Sequence, residues 1–238
     1  MSTPGIREVV NGNQATTAAT FTVATGAGTA VGDLLIIAHL NDFYALSNIS
    51  APSCTGSPTM NAITNGVADG GTNEAHIKTY WCVVNTAGAN TVTFTETGTH
   101  DEEKAGAIFV LTGANTSNPI DDAAGAASAT GSATVPAPSV SPTTPDALLI
   151  CLACSGAGVN ETSWTPPTGM SEQFDVSFNS AMGYTGATVG LTSSGATGAK
   201  NFTPAGSTPY GTVSIAVRGA APVPLIVPPT GLMRSYTW

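Results

Sequence analysis

Residues 146–154 read DALLICLAC, and this stretch indicates how the chain folds. It contains a continuous apolar run, with Pro-Asp before it and Ser-Gly after it. Short apolar runs between turn residues are typical of strands that are buried on both faces. The stretch also holds a C-x-x-C pair, Cys151 and Cys154, a spacing that binds zinc or forms a redox dithiol when it lies on a turn. Side chains three residues apart on a strand point to opposite faces. The pattern therefore favours small, buried, structural cysteines.

The apolar run has a counterpart in the first half of the chain. GDLLIIAHL at 32–40 resembles PDALLICLA at 145–153, and Leu34 precedes Leu148 by 114 residues. Four further blocks repeat in the same order: 19–35 with 132–149, 58–66 with 167–176, 91–98 with 199–206, and 105–114 with 210–220. Ordered repeats of this kind indicate an internal duplication, with about five strands in each copy.

The repeated blocks have the period of β-strands. Val213, Ile215 and Val217 alternate with smaller or polar residues, and the connections are rich in Gly, Pro, Asn and Asp. We therefore predict an all-β fold, an antiparallel, jelly-roll-like β-sandwich of about ten to twelve strands built from a duplicated half. Two tandem domains divided at 115–131 are the alternative. One sandwich is preferred because a five-stranded half holds few large side chains for a core of its own.

This interpretation divides the chain into three parts. Residues 1–14 form an N-terminal flank, and residues 15–220 form the sandwich, with halves at about 15–114 and 128–220. Residues 221–238 form a C-terminal arm.

Composition narrows the classes of function. Only 9% of the residues are charged, against about 25% in an ordinary domain, and the net charge is −9. A chain so poor in Lys and Arg is not expected to bind nucleic acid or anionic membranes. No stretch is long enough for a membrane helix, and the N-terminus lacks a signal-peptide pattern, so we expect synthesis in a cytoplasm and no membrane insertion. The sparse charge favours either a neutral polar surface or a surface covered by other subunits.

Motifs for catalysis are missing from the sequence. There is no G-x-S-x-G, H-E-x-x-H or phosphate-binding loop, so we expect a protein that is not an enzyme and needs no cofactor. Asp101, Glu102 and Glu103 could offer oxygen ligands to a hard cation, but their spacing is not that of an EF-hand. A solvated acidic loop is the preferred interpretation, with no metal bound.

Three aromatic residues on predicted loops are candidates for stacking on a sugar. They are Phe43 and Tyr44, which follow the first apolar strand, and Trp164, which precedes Pro166-Pro167. The alternative for Trp164 is that its ring caps the core beneath the proline-rich turn.

The last segment is apolar although its four prolines forbid a helix. Disordered tails are polar, so we expect this arm to be buried, either on its own sandwich or on a neighbouring subunit. The second arrangement is preferred, with Trp238 as the anchor. The predicted interface residues are Leu225, Ile226, Val227, Leu232, Met233, Tyr236 and Trp238.

Taken together, the motifs of the chain resemble those of jelly-roll or concanavalin-like sandwich domains of tailed-bacteriophage structural proteins. The motifs that carry this resemblance are GDLLII, YWCVVNTAGANTVTFT, AIFVLTGANTSNPID, WTPPTGM and GTVSIAVRGA. The resemblance covers about residues 15–220 and carries packing and turn motifs but no catalytic signature. It implies a non-enzymatic virion protein, associated with the tail or fibre or decorating the capsid, that forms homo-oligomers and contacts other virion proteins. Of these positions the tail is preferred. The alternative is an adhesin module that binds host surface glycans.

Overall fold

A computed structural model describes residues 2–14, 18–42, 46–57, 59–71, 75–97, 103–156, 163–178 and 182–221. Apart from a single 3-10 turn at Leu46–Asn48, the regular structure of these residues consists of β-strands. The all-β prediction is confirmed, but the described residues form sixteen strands, more than the ten to twelve expected.

The chain folds as two halves of eight strands each. The strands of the first half are β1 (Gly5–Gln14), β2 (Thr20–Ala24), β3 (Leu34–Asn41), β4 (Ser53–Cys54), β5 (Asn61–Asp69), β6 (His76–Val83), β7 (Thr91–Thr95) and β8 (Lys104–Thr112). Those of the second half are β9 (Ile120–Ser132), β10 (Val135–Ala137), β11 (Leu148–Ser155), β12 (Trp164–Thr165), β13 (Ser171–Phe178), β14 (Met182–Gly190), β15 (Lys200–Pro204) and β16 (Thr208–Val217).

The two halves have the same sheet topology. The first half contains a five-stranded sheet, β1-β8-β3-β6-β5, and a three-stranded sheet, β2-β7-β4. The second half contains β9-β16-β11-β14-β13 and β10-β15-β12, so each strand takes the place of the strand eight positions earlier in the chain. The duplication seen in the sequence is thus present in the fold, and all the pairings are antiparallel. The jelly-roll connectivity stays a prediction.

The predicted boundaries need correction at the first strand of each half. Gly5–Gln14 was expected to be a flank, but it is β1 and pairs with β8. Most of 115–131 was expected to be a linker, but Ile120–Ser132 is β9 and pairs with β16. Both strands carry a bulge at the same place, between Ile6 and Glu8 in β1 and after Ile120 in β9. The bulges and their charged residues interrupt the alternation by which strands are recognised.

Four layers of sheet enclose three cores. The two five-stranded sheets pack face to face around a central core that includes Leu34, Ile36, Leu148 and Ile150. Each three-stranded sheet covers the outer face of its own five-stranded sheet. Because β3 and β11 are covered on both faces, all eight residues of each are buried. This arrangement explains why both strands read as continuous apolar runs.

The C-x-x-C pair spans two of these cores, as the strand pattern predicted. Cys151 lies in the outer core of the second half and Cys154 in the central core. Both thiols are free, and burial raises their pKa values, that of Cys151 to about 12. The two cysteines are therefore small hydrophobic residues that pack in different layers.

The halves face each other in a pseudo-two-fold arrangement. β5 of the first sheet lies against β9 of the second, and β1 lies against β13, which is the counterpart of β5. The Tyr184 hydroxyl lies 3.2 Å from Asn13 Nδ2 and 3.3 Å from Asn11 Oδ1, which joins the halves by hydrogen bonds. Each half keeps an outer core and shares the central one, an arrangement between the single sandwich and the tandem domains that were considered.

The backbones of the two halves approach closely at Gly125. A Cβ atom at this position would lie 1.7 Å from the carbonyl oxygen of Val67. Only glycine fits there unless β5 and β9 move apart.

We expect Gly125→Ala to lower the free energy of unfolding by about 1–3 kcal/mol, because the methyl group overpacks a backbone contact between the halves. Gly28→Ala is the matched control, since Gly28 is exposed and its Cβ would meet nothing within 4 Å. The control should stay within about 0.5 kcal/mol of the wild type in urea unfolding. Equal stability of the two variants would show that the halves do not depend on this approach.

Candidate functional site

Many of the predicted site residues lie outside the part of the chain that the structure describes. These are Phe43, Tyr44, Asp101, Glu102 and the arm residues Leu225, Ile226, Val227, Leu232, Met233, Tyr236 and Trp238. Their assignments stay predictions. Glu103 is described and is only 7% exposed, so it does not lie on a solvated loop as expected.

The structure corrects the placement of Trp164, which was expected on an exposed loop. Trp164 begins β12 and is 4% exposed, and its ring meets the edge of Phe202 at a centroid distance of 6.4 Å. It faces Pro204 in the ladder, in the place where the first half puts the buried Ile49 opposite Glu96. The indole therefore fills a core position and is not available to stack on a sugar, which matches the alternative weighed for it.

Comparing equivalent positions in the two halves shows which buried residues occur in both and which features occur in only one. Phe94 and Phe202 occupy equivalent positions in β7 and β15, and both are fully buried. Two features of the first half have no such counterpart. One is a buried charged cluster, and the other is a groove around Trp81.

The charged cluster lies where the ends of β3, β7 and β8 meet. Lys104 Nζ donates to Glu96 Oε2 over 2.9 Å and to the Ala18 carbonyl over 3.1 Å. Asn41 Nδ2 donates to Glu96 Oε1, also over 2.9 Å. Lys104 is 0% and Glu96 4% exposed, so this ion pair is sealed from solvent.

His39 completes the cluster in its neutral form. Its Nε2 lies 3.2 Å from Glu96 Oε1, and its ring packs edge-on against Phe21 and Phe94. Burial lowers the pKa of His39 more than the neighbouring carboxylate raises it. For Glu96, burial raises the pKa, but contacts with His39, Asn41 and Lys104 outweigh burial and lower it to about 2. At neutral pH the charges are therefore those of Glu96 and Lys104.

The second half replaces this cluster with uncharged residues. In the shared register, Ala153 and Ser155 stand where the first half has His39 and Asn41, and Pro204 and Tyr210 stand where it has Glu96 and Lys104. The fold can therefore form without these charges. Since the groups are so deeply buried, the cluster acts on the geometry of this end of the first half.

Trp81 on β6 lies between two grooves on the face of the first five-stranded sheet. The indole is partly exposed and packs against the rim of the central core. One groove has a volume of about 300 Å³ and the other about 320 Å³. The first is lined by Ala62, Ile63, Thr64, Asn65, Ile120, Asp121, Asp122 and Ala123, and the second by Ser57, Thr59, Asn61, Val83 and Asn85.

A long bulge in β5 shapes the first groove. Pairing with β6 is interrupted between Ala62 and Val67, whereas the equivalent interruption in β13 spans only Glu172 to Phe174. Asn65 adopts a left-handed conformation with φ of 63°, which asparagine tolerates well. Gly66 follows, and a Cβ there would lie 2.3 Å from Thr79 Oγ. The Asn-Gly pair thus allows the bulge to form beside Trp81.

The two aspartates that line the first groove are held by other parts of the second half. Asp121 accepts hydrogen bonds from Thr143 Oγ over 2.7 Å, from the Thr144 amide and from Arg218 Nη2. Burial raises its pKa, but the bonds from Thr144 and Thr143 outweigh burial and lower it to about 2. Asp122 accepts from the Ser141 amide over 2.6 Å. These carboxylates therefore fasten β9 to the β10–β11 connection.

Within the ranges given above, no three His, Cys, Asp or Glu side chains lie together in a way that could hold a metal ion. No helix in those ranges is both long and apolar enough to cross a membrane.

Comparisons with known proteins do not name a family. No protein-family model matches the chain, and no curated protein matches it either. The resemblance to phage structural domains therefore stays a prediction based on the motifs in the sequence.

The sequence did not reveal Glu96 and Lys104 as a pair, or Trp81 as part of a groove. Glu96 and Lys104 meet through the pairing of different strands, and the exposure of Trp81 depends on how far the second half covers the first. The available signal was the duplication itself, because aligned copies show where one half carries a charge or a tryptophan and the other does not.

We expect Lys104→Met to lower the free energy of unfolding by about 3–5 kcal/mol, because it leaves the Glu96 carboxylate buried without its cation. Combining it with Glu96→Gln should recover most of this loss, since the buried charge is then removed as well. Urea unfolding of the single and double variants measures both effects. A double variant no more stable than Lys104→Met would rule out the ion pair as the cause.

A second expectation concerns the four cysteines. The Cys54 thiol on β4 contacts the Cys82 thiol on β6, and this hydrogen bond, together with the Gly56 and Ser57 amides, lowers the pKa of Cys54 to about 7. The pKa of buried Cys82 is raised. We expect iodoacetamide at pH 8 to label Cys54 first and fastest, with a rate that rises around pH 7. Peptide mass spectrometry measures the order, and equal labelling of Cys54 and Cys151 would contradict it.

Proposed function

We propose that this chain is a non-enzymatic structural protein of a tailed-bacteriophage virion. It is associated with the tail or fibre, or decorates the capsid, and it assembles with copies of itself and with other virion proteins through its C-terminal arm. The observation that carries the assembly role is the distribution of apolar residues. Among the residues that the structure describes, Val31 is the only large hydrophobic residue that is exposed, with 65% of its surface accessible.

Because the described surface exposes so few large hydrophobic residues, the arm is the segment best suited to bind another subunit. Residues 222–238 contain eight of the larger apolar residues, counting Val, Leu, Ile, Met, Tyr and Trp, in a segment of only seventeen. Burying such side chains against a partner provides the main driving force for association. The four prolines in its sequence favour an extended form over a helix, and an extended segment suits docking along a sheet edge or groove.

The arm begins at a well-fastened point of the sandwich. The Ala220 amide donates to the Gly113 carbonyl over 2.7 Å, and the Asn115 amide donates to the Arg218 carbonyl over 3.0 Å. A Cβ on Gly219 would lie 2.0 Å from the Ser2 carbonyl oxygen, so the N-terminus also packs here. The start of the chain, the connection between the halves and the base of the arm therefore meet at one end of the molecule. A fixed base of this kind can direct an arm toward a neighbour.

The rest of the fold supports a structural role. Each central strand is buried on both faces, the halves share a core, and the Arg7–Asp33 and Arg218–Asp121 ion pairs brace the first strand of each half. The Asp121 and Asp122 carboxylates already serve as braces, and the buried Glu96 carboxylate is paired with Lys104. These features favour a rigid scaffold that displays its flanks.

We expect the full chain to form a defined oligomer and a chain ending at Ala221 to be a folded monomer, because the truncation removes the arm but keeps the hydrogen bonds of Gly113 and Asn115. Light scattering after size exclusion gives the masses, and circular dichroism with thermal unfolding shows that the truncated chain is folded. Val31→Ser in the full chain is the control and should leave the oligomer intact. Monomers in both cases would overturn the self-assembly part of the proposal.

A further inference from the structure

We propose that the pair of grooves around Trp81 is a binding site for a neutral oligosaccharide, with the indole as the stacking platform. This site is separate from the C-terminal arm, and the proposal does not depend on how the chain assembles. The features that create the site are local to the first half: the indole, the long bulge of β5 and a polar lining on both sides of the ring.

The backbone of Trp81 is paired with a strand on each side. It pairs with Ile36 of β3 on one side and with Asn61 of β5 on the other. A ring fixed on an inner strand loses little conformational freedom when a ligand stacks on it. Its partial exposure leaves the ring within reach of such a ligand, in contrast to the buried Trp164.

The second half shows that the grooves are not a by-product of the fold. The residue equivalent to Trp81 is Thr188, which faces Ser171 as Trp81 faces Asn61. Thr188 is buried and accepts a hydrogen bond from Gln173 Nε2 over 2.9 Å. Gln173 is the bulged residue of β13, so a short bulge closes this position, whereas the longer bulge of β5 leaves it open.

The lining matches the hydroxyl groups of a sugar. One groove presents Thr64 and Asn65, and the other presents Ser57, Thr59, Asn61 and Asn85. Hydroxyl and amide groups both donate and accept hydrogen bonds, as sugar hydroxyls do. Among the described residues that line the two grooves there is no Lys or Arg, and the chain carries a net charge of −9. Neutral sugars are therefore favoured over sialylated, sulfated or phosphorylated ones.

The size of the site favours more than one sugar unit. Volumes of about 300 and 320 Å³ each lie at the lower end of the range for small-molecule sites, roughly 300–1,000 Å³. Because both grooves border the same ring, a chain stacked on Trp81 can extend into each of them.

The test is binding of the full-length protein to a glycan array that carries neutral and acidic oligosaccharides, followed by calorimetry with the best neutral oligosaccharide. Trp81→Ala should weaken binding by at least about tenfold, since it removes the stacking surface. Asn85→Ala, an exposed change at the rim, should weaken binding by a smaller factor. Thr188→Ala at the equivalent position of the second half should leave binding unchanged.

The outcomes separate clearly. Loss of binding in Trp81→Ala and weaker binding in Asn85→Ala, with Thr188→Ala unaffected and all variants folded by circular dichroism, support the site. If Trp81→Ala does not fold, the comparison of Asn85→Ala with Thr188→Ala decides the question alone. The proposal is overturned if the wild type binds no neutral glycan, if it binds acidic glycans only, or if Asn85→Ala and Thr188→Ala bind equally well.

Discussion

The burial of β3 and β11 on both faces is the constraint on which the rest of the structure depends. Leu34 and Ile36 point into the central core, and Leu35 and Ile37 point into the outer core of the first half. Each buried aliphatic side chain contributes about 1.5–3 kcal/mol relative to an exposed one, so these strands link three cores in one structure. A polar group on such a strand must find its partner inside the protein, as Asn41 does in Glu96.

The same constraint explains how much of the fold could be read from the sequence. The blocks around Leu34 and Leu148 were recognised because central strands have no polar face. β1 and β9 were missed because each carries a charged bulge, and β9 is built largely of Ala and Gly. Trp164 was misplaced because β12 has two residues, too few for a strand pattern. Glu96, Lys104 and Trp81 required the register of the sheets and the position of the second half, which no local pattern contains.

The pseudo-two-fold packing also places the edge strands of the two large sheets next to each other. β1 and β9 are long edge strands, of 10 and 13 residues, and such edges can pair with other chains. Each lies beside an edge strand of the opposite half, and the backbones approach closely where Gly125 meets the Val67 carbonyl. The charged bulges of Arg7 and Asp121 further interrupt these edges. The arrangement favours assembly through a dedicated segment over assembly by sheet extension.

Duplication gives this chain an internal comparison, and the buried charges and the groove around Trp81 are two differences between the copies. Both halves bury the same residue type at equivalent positions, as Leu34 and Leu148 and the phenylalanines Phe94 and Phe202 show. A buried ion pair costs desolvation and adds little net stability over apolar packing, so a fold that forms without one in its second half does not need one in its first. Lys104 and Glu96 fix the geometry at one end of that half, while Trp81 and the Asn65-Gly66 bulge open its face. The first half thus carries buried charges and an open groove at positions where the second half has uncharged residues and a buried threonine.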